Sequence, residues 1–428
     1  MPQILEKSKI RLDTALRIVF VGHVDHGKST LVGRILQETG SVLPSRMKEV
    51  EAICKSRGMN FEYAFLLDAL EEEQDQGVTI DVSQVLFKTK KRFYRVIDAP
   101  GHKEFLKNMV SGASTADVAI LLIDAEEGLR EQTRRHATIL SLLGIKQILV
   151  AVNKMDLVGY DRAVFERVRE EYGKHLKSLK LEPLAYVPLA AYHGENVASP
   201  SSKMPWYEGK PLLELLDSLK LEPPLSENLP LRLPLQDVYK FDKERIFAGR
   251  VESGTLSVGE EVSFLPSGKR GVVKSIEKWN VPKQKKASAG ESVGFTLEDQ
   301  IFVERGEVVC REPAPEVSRT FLANIFWMGN KHLKRGEKYL LKLTTEETEC
   351  VVDSILRVVN SSNLEEISQN AQEVAKNEVA EIILATKKPV AFDTFDRIPE
   401  TGRFVLVSEH DVRGGGIILK KVEHFSAI

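Results

Sequence analysis

Cysteine is scarce in this chain of 428 residues, and Cys54, Cys310 and Cys350 stand singly with no C-x-x-C pair. That spacing argues against a disulfide framework and a zinc site, and it fits a reducing cytoplasm. Long hydrophobic runs are missing too. No apolar stretch approaches the roughly 20 residues a membrane helix needs. The N-terminal MPQILEKSKIRLDTALRIVF has no apolar core followed by a small-residue cleavage site. Neither a membrane partner nor a secretory leader is therefore expected. Charge of one sign is not in excess either. The formal net charge of −2 gives no global electrostatic case for nucleic acid, although a local basic face remains open. Low-complexity tracts and clean short-period repeats are also lacking.

What the chain does have is apolar residue in globular proportion, 42% against 29% charged, over a length too great for one ordinary core. Domains commonly run to about 100–200 residues, so two or three are expected. Short apolar runs at 16–21, 94–97, 118–123, 147–152 and 185–188 alternate with helix-compatible stretches such as 29–38, 131–142 and 162–177. Such alternation describes βαβ units, hence an α/β domain with a mostly parallel sheet, assigned to residues 1–222. Glu222-Pro223-Pro224-Leu225 and the following residues to Pro230 read as a linker. Beyond it the segments are short, rich in Val, Ile and Phe, and broken by glycine, as in Gly290-Glu291-Ser292-Val293-Gly294. This is the texture of a small β-barrel. Arg311-Glu312-Pro313-Ala314-Pro315 reads as a second boundary, after which the β texture returns. Two small β-barrel domains, 228–312 and 316–428, are expected to follow the α/β domain.

Three motifs carry the chemistry. Gly22-His23-Val24-Asp25-His26-Gly27-Lys28-Ser29 matches G-x-x-x-x-G-K-[ST] directly after the first strand and, with Thr30, opens a helix. Glycines let backbone N–H groups wrap phosphates, and the helix N-terminus adds partial positive charge. There Lys28 is expected at the β- and γ-phosphates and Ser29 on Mg²⁺. His23 and His26 are read as loop positions rather than metal ligands. Asp98-Ala99-Pro100-Gly101 follows a buried run, where the acid can hold Mg²⁺ through water and the glycine N–H can touch the γ-phosphate. Asn153-Lys154-Met155-Asp156 follows another. The Asp156 carboxylate can accept from the N1–H and 2-amino group of guanine. Adenine offers no such pair, and a carboxylate left unpaired would reject it roughly 10²–10⁴-fold. Asp117 and Asp124, flanking the run 118–123, read as structural or surface residues.

GHVDHGKST, DAPGH and NKMD, in that order, resemble the translation-factor GTPases, the group of elongation factors Tu and 1-alpha. The resemblance implies an α/β P-loop GTPase domain followed by two β-barrels, with GTP or GDP and Mg²⁺ bound. It implies that Thr79 ligates Mg²⁺ in the GTP state and that His102 orients the attacking water. It implies that Asp25 lies near the catalytic site. Leu189-Ala190-Ala191 is similar to the base-proximal Ser-Ala element, with Ala190 in place of the usual serine. The backbone contact survives that change, and a side-chain contact to the guanine pocket is lost.

Within this group, Gln132-Thr133-Arg134-Arg135-His136, Met204-Pro205-Trp206-Tyr207, Leu265-Pro266-Ser267-Gly268-Lys269 and Thr296-Leu297-Glu298-Asp299 resemble the large GTPase subunit of bacterial sulfate adenylyltransferase. That resemblance implies a heteromer with a small ATP-using adenylyltransferase subunit, whose uphill step is coupled to GTP hydrolysis. The alternative is an elongation factor that delivers aminoacyl-tRNA to the ribosome, and His26 is the elongation-factor residue at its position. No second phosphate loop precedes Ile428, so no fused kinase domain is expected.

Overall fold

A computed structural model describes residues 15–63, 65–66, 85–97, 116–143, 145, 147–219, 229–241, 244–278, 284–361 and 365–423. The chain divides into two compact units, Met1–Lys220 and Leu221–Ile428.

The first unit holds β1 (Leu16–Val21), α1 (Lys28–Glu38), α2 (Pro44–Ser56), β2 (Val85–Lys88), β3 (Phe93–Ile97) and β4 (Val118–Asp124). It continues with α3 (Glu131–Leu143), β5 (Gln147–Asn153), α4 (Arg162–Ser178), β6 (Ala185–Pro188) and α5 (Leu212–Ser218). The strands form one sheet in the order β2-β3-β1-β4-β5-β6. All pairings are parallel except β2 with β3. All seven residues of β4, Val-Ala-Ile-Leu-Leu-Ile-Asp, are buried, as expected of a parallel strand covered on both faces. Leu16, Ile18 and Phe20 of β1 pack in one core with Leu31, Val32 and Ile35 of α1 and with Leu212 and Leu216 of α5. The chain leaves β1 for β3 on one side and returns to β4 on the other. The carboxyl end of β1 is thus where the strand order reverses, the usual place for a ligand in an open α/β sheet.

Three elements have weak local signals. Helix α2 buries only Val50 and Cys54, so its apolar period is faint. Strand β2 is a four-residue edge strand of alternating burial. Helix α5, seven residues long, is too short to display a helical period.

The second unit is all β. Its first barrel contains β7 (Arg232–Phe241), β8 (Glu244–Arg250), β9 (Thr255–Ser257), β10 (Glu261–Leu265), β11 (Lys269–Glu277), β12 (Lys286–Ser288), β13 (Ser292–Leu297) and β14 (Val308–Cys310). The order β10-β11-β13-β8-β7-β14 closes on itself, with Phe247, Phe264 and Phe295 meeting inside. The second barrel contains β15 (Glu316–Trp327), β16 (Leu333–Lys334), β17 (Lys338–Leu343), β18 (Glu346–Asn360), β19 (Glu366–Ala371), β20 (Glu373–Val374), β21 (Glu378–Phe392), β22 (Arg403–Ser408) and β23 (Asp411–Lys421). Pairing of β17 with β18 closes a six-strand ring, and β19 hangs outside it on β18. The architecture is therefore the α/β domain followed by two β-barrels that the sequence texture implied.

A buried ion pair ties the two barrels together. Arg232 opens β7, and its Nε and Nη2 donate to Asp393 Oδ2 and Oδ1 at 2.7 and 3.0 Å. Its remaining donors reach the carbonyls of Leu231, Arg311 and Pro313, and Thr401 Oγ1 donates to Asp393 at 2.7 Å. Both charges are fully buried, and both are saturated with hydrogen bonds, which is what makes such a pair tolerable.

Candidate nucleotide-binding site

The site is assembled at the carboxyl ends of β1, β5 and β6. Strand β1 runs into Gly22, where a Cβ would lie 2.8 Å from the Leu122 carbonyl oxygen of β4. Only glycine lets the loop leave the sheet so close to β4. Val24–His26 form one 3₁₀ turn, and Gly27 follows with φ of +83°. A Cβ at Gly27 would meet Asn153 Nδ2 at 2.6 Å, so both its conformation and its neighbour demand glycine. Lys28 then begins α1, and Ser29 and Thr30 lie half-buried in its first turn. The buried Lys28 ammonium bends back over the loop and donates to the carbonyls of Gly22 at 2.5 Å and His23 at 2.8 Å. Burial pushes its pKa down to about 8, against the opposing pull of exposed Asp25.

Asn153, the last residue of β5, is buried and works in two directions. Its Nδ2 donates to the His26 carbonyl at 2.8 Å, and its Oδ1 accepts from the Ala191 N–H at 2.9 Å. One side chain thus fastens the phosphate loop to the Leu189-Ala190-Ala191 segment after β6. Met155 N–H also donates to the Leu189 carbonyl at 3.2 Å. Lys154 takes a φ of +61°, uncommon for a residue with a Cβ, and its ammonium sits 2.8 Å from Asp124. Burial acts to raise the Asp124 carboxyl. The Lys154 ammonium and the N–H groups of Glu126 and Glu127 outweigh it and hold the pKa below the usual carboxylate value. Asp156 is partly exposed, with His193 Nε2 at 3.6 Å from its Oδ2.

Two histidines near the loop, His26 and His136, are buried. His26 is fully buried, with Nδ1 at 3.0 Å from the Leu122 carbonyl, and burial lowers its pKa. His136 on α3 is buried as well, and desolvation, reinforced by nearby Lys28, pushes its pKa down to about 3. Burial thus favours the uncharged form of both rings. No group of three or more metal-ligating side chains occurs among the described residues.

Gly22 to Thr30, Asn153, Lys154, Asp156, Ala190 and Ala191 thus converge on one edge of the sheet. Thr79, Asp98, Gly101 and His102 lie outside the described residues. Three neighbours of these residues were not singled out as such by the sequence. Asp124, read as structural or surface, is buried and is the counter-ion of Lys154. Arg34 on α1 donates to Tyr63 Oη at 2.6 Å and to the Tyr192 carbonyl at 3.3 Å. His193 stands beside Asp156. Only Asp124 carried a local signal, as an acid closing a wholly buried strand.

A mostly parallel sheet whose lysine-bearing loop is braced through Asn153 to the segment after β6 has the form of a P-loop GTPase domain. Comparison with known proteins refines the class. The model of the elongation factor Tu GTP binding domain matches residues 13–223, and the GTP-eEF1A C-terminal domain-like model matches residues 320–419. Sulfate adenylyltransferase subunit 1 of Aeromonas hydrophila is 40% identical over 412 residues, covering 95% of this chain and 86% of its own length. Its counterpart from Francisella tularensis subsp. novicida is 37% identical, covering 95% and 87%. The bifunctional enzyme NodQ of Rhizobium sp. is 39% identical over 94% of this chain, which spans 63% of NodQ. A solved structure of sup35 complexed with GDP superposes with a TM-score of 0.45 at 25% identity, covering 99% of this chain and 97% of that one. At that score the likeness bears on neither fold nor function. The chain belongs to the translation-factor GTPase superfamily, in the family formed with sulfate adenylyltransferase subunit 1. Among the described residues no helix is long and apolar enough to cross a membrane.

Proposed function

We propose that this chain is the GTPase subunit of a sulfate adenylyltransferase, coupling GTP hydrolysis to formation of adenosine 5'-phosphosulfate from ATP and sulfate on a partner subunit. The observation that carries the proposal is the end-to-end similarity to sulfate adenylyltransferase subunit 1, across both the GTPase unit and the barrels. The designation of that relative as subunit 1 agrees with a heteromer. A sulfate–phosphate anhydride is strongly unfavourable to make, so a second nucleotide gives chemical drive.

In this reading the backbone N–H groups of residues 22–30 and the Lys28 ammonium hold the phosphates. Asp156 accepts from guanine N1–H and the 2-amino group. Ala190 and Ala191 close the pocket through backbone. His102 orients water toward the γ-phosphate. Ser29, Thr79 and Asp98 would hold Mg²⁺, Asp98 through water, and hydroxyl and carboxylate oxygens suit that hard ion. Ser29 fits the role, because its hydroxyl is half-buried at the start of α1, next to Lys28, and makes no hydrogen bond with a described residue. When bound, Mg²⁺ supplies charge neutralisation at the β- and γ-phosphates.

The test is a pull-down from native extract with the protein loaded with a non-hydrolysable GTP analogue. A stoichiometric small protein that releases pyrophosphate from ATP in the presence of sulfate supports the proposal. Bound aminoacyl-tRNA without that activity overturns it in favour of a translation factor.

A further inference from the structure

We infer that His193 is a positioning residue for guanine specificity: its imidazole aligns the Asp156 carboxylate that reads the base. The inference rests on the proposed role of Asp156. A carboxylate that must accept two parallel hydrogen bonds is useful only if its plane is held, since a rotated carboxylate loses one bond of the pair. The base loop offers no side-chain hydroxyl for this. Ala190 and Ala191 are both buried and carry only methyl groups. Among the described residues the side chain that stands against Asp156 is His193, with Nε2 3.6 Å from Oδ2. That separation is within ion-pair range and just beyond a direct hydrogen bond, a gap that a small rotamer adjustment or one bridging water closes. A carboxylate has lone pairs enough to accept from His193 and from guanine together.

The backbone around His193 is fixed from three sides, so the imidazole has a defined place to reach from. The N–H groups of His193 and Gly194 both donate to the Ala190 carbonyl, at 3.0 and 2.9 Å. Arg34 holds the Tyr192 carbonyl, and its guanidinium fills the space where a Cβ on Gly194 would stand. Gly194 itself has φ of +78°, a conformation that favours glycine. The Tyr192 ring meets the His193 ring edge-on at 5.2 Å between centroids. The pair is partly exposed, with His193 44% and Asp156 22% accessible, so it contributes little to folding. Its effect falls on the orientation of one functional group.

The test uses the purified full chain and compares binding of GDP with IDP, which keeps N1–H and lacks the 2-amino group. His193→Ala is expected to weaken GDP about three- to fivefold, the scale of a partly exposed pair, and to leave IDP within about twofold. The GDP to IDP preference therefore narrows. His193→Gln keeps an N–H donor and is expected to restore the preference. Equal weakening of both nucleotides, or no change in either, would overturn the inference. Asp156→Asn tests the underlying reading separately: it should lose GDP and gain the xanthine nucleotide, whose 2-oxo group pairs with an amide. If Asp156→Asn still binds GDP as the parent does, the base-reader role fails, and the His193 inference with it. If Asp156→Asn behaves as expected and His193→Ala is silent, only the His193 inference fails.

Discussion

Replacing Asn153 by alanine should disconnect the phosphate loop from the base loop. The side chain is buried and makes two hydrogen bonds, to the His26 carbonyl and from the Ala191 N–H. Truncation leaves both backbone groups without their partner, and each such loss costs about 1–3 kcal/mol when water does not replace it. The two losses share one cavity and are not fully additive, so ~2–4 kcal/mol is expected for the GTPase unit. Because the orphaned groups belong to the two loops proposed to hold the nucleotide, GDP affinity should fall about ten- to a hundredfold. Asn153→Asp separates this account from one based on lost volume. Aspartate is nearly isosteric and still accepts from Ala191, but it presents a buried carboxylate to the His26 carbonyl. It should be at least as damaging as alanine, whereas a volume argument makes it mild. GDP titration and thermal unfolding of the full chain measure both effects, since the transition that GDP raises is that of the nucleotide-binding unit. Asn153→Ala binding GDP within about twofold of the parent, with Asn153→Asp no worse, would refute the reasoning.

Further outcomes follow from other groups. Lys28 has a pKa of about 8, and phosphate favours its charged form, so below pH 8 it is already protonated and above pH 8 binding must take up a proton. GDP affinity should therefore fall as pH rises past 8, and calorimetry at pH 8.5 in buffers of different ionisation enthalpy should register proton uptake; a flat profile without uptake contradicts this. Arg232→Met strands the buried Asp393 carboxylate and should cost about 3–5 kcal/mol in equilibrium denaturation, while the double change Arg232→Met with Asp393→Leu should recover most of it. His102→Ala should slow single-turnover GTP hydrolysis at least about tenfold with GTP affinity nearly intact, as befits a group that orients water rather than binds nucleotide.

The sheet was legible because its strands advertise themselves. The buried run of β4 and the phosphate loop directly after β1 place motif and strand end together without any tertiary knowledge. The barrels were legible as texture, from short apolar segments and glycine breaks, but their closure depends on pairings such as β17 with β18 that no local pattern encodes. Asn153, Lys154 and Asp156 stand out one by one as a motif in the sequence; the contacts that fasten them to their neighbours do not. Asn153 joins residues of two other loops, Asp124 meets Lys154 at the end of the neighbouring strand, and Arg232 finds Asp393 at a separation of 161 positions. Each is a long-range pair whose members look ordinary in their own neighbourhoods. Helix α2 escaped for the opposite reason: it buries so little that its period hardly registers.

The central claim is that GTP hydrolysis on this chain drives sulfate activation on a partner. The most direct measurement mixes the purified chain with the proposed ATP-using partner subunit and follows adenosine 5'-phosphosulfate and GTP hydrolysis together. The account predicts that GTP carries product beyond the extent reached with ATP and sulfate alone, with hydrolysis in step, and that a non-hydrolysable analogue or Lys28→Ala abolishes the excess. The same extent of product with and without GTP would contradict it.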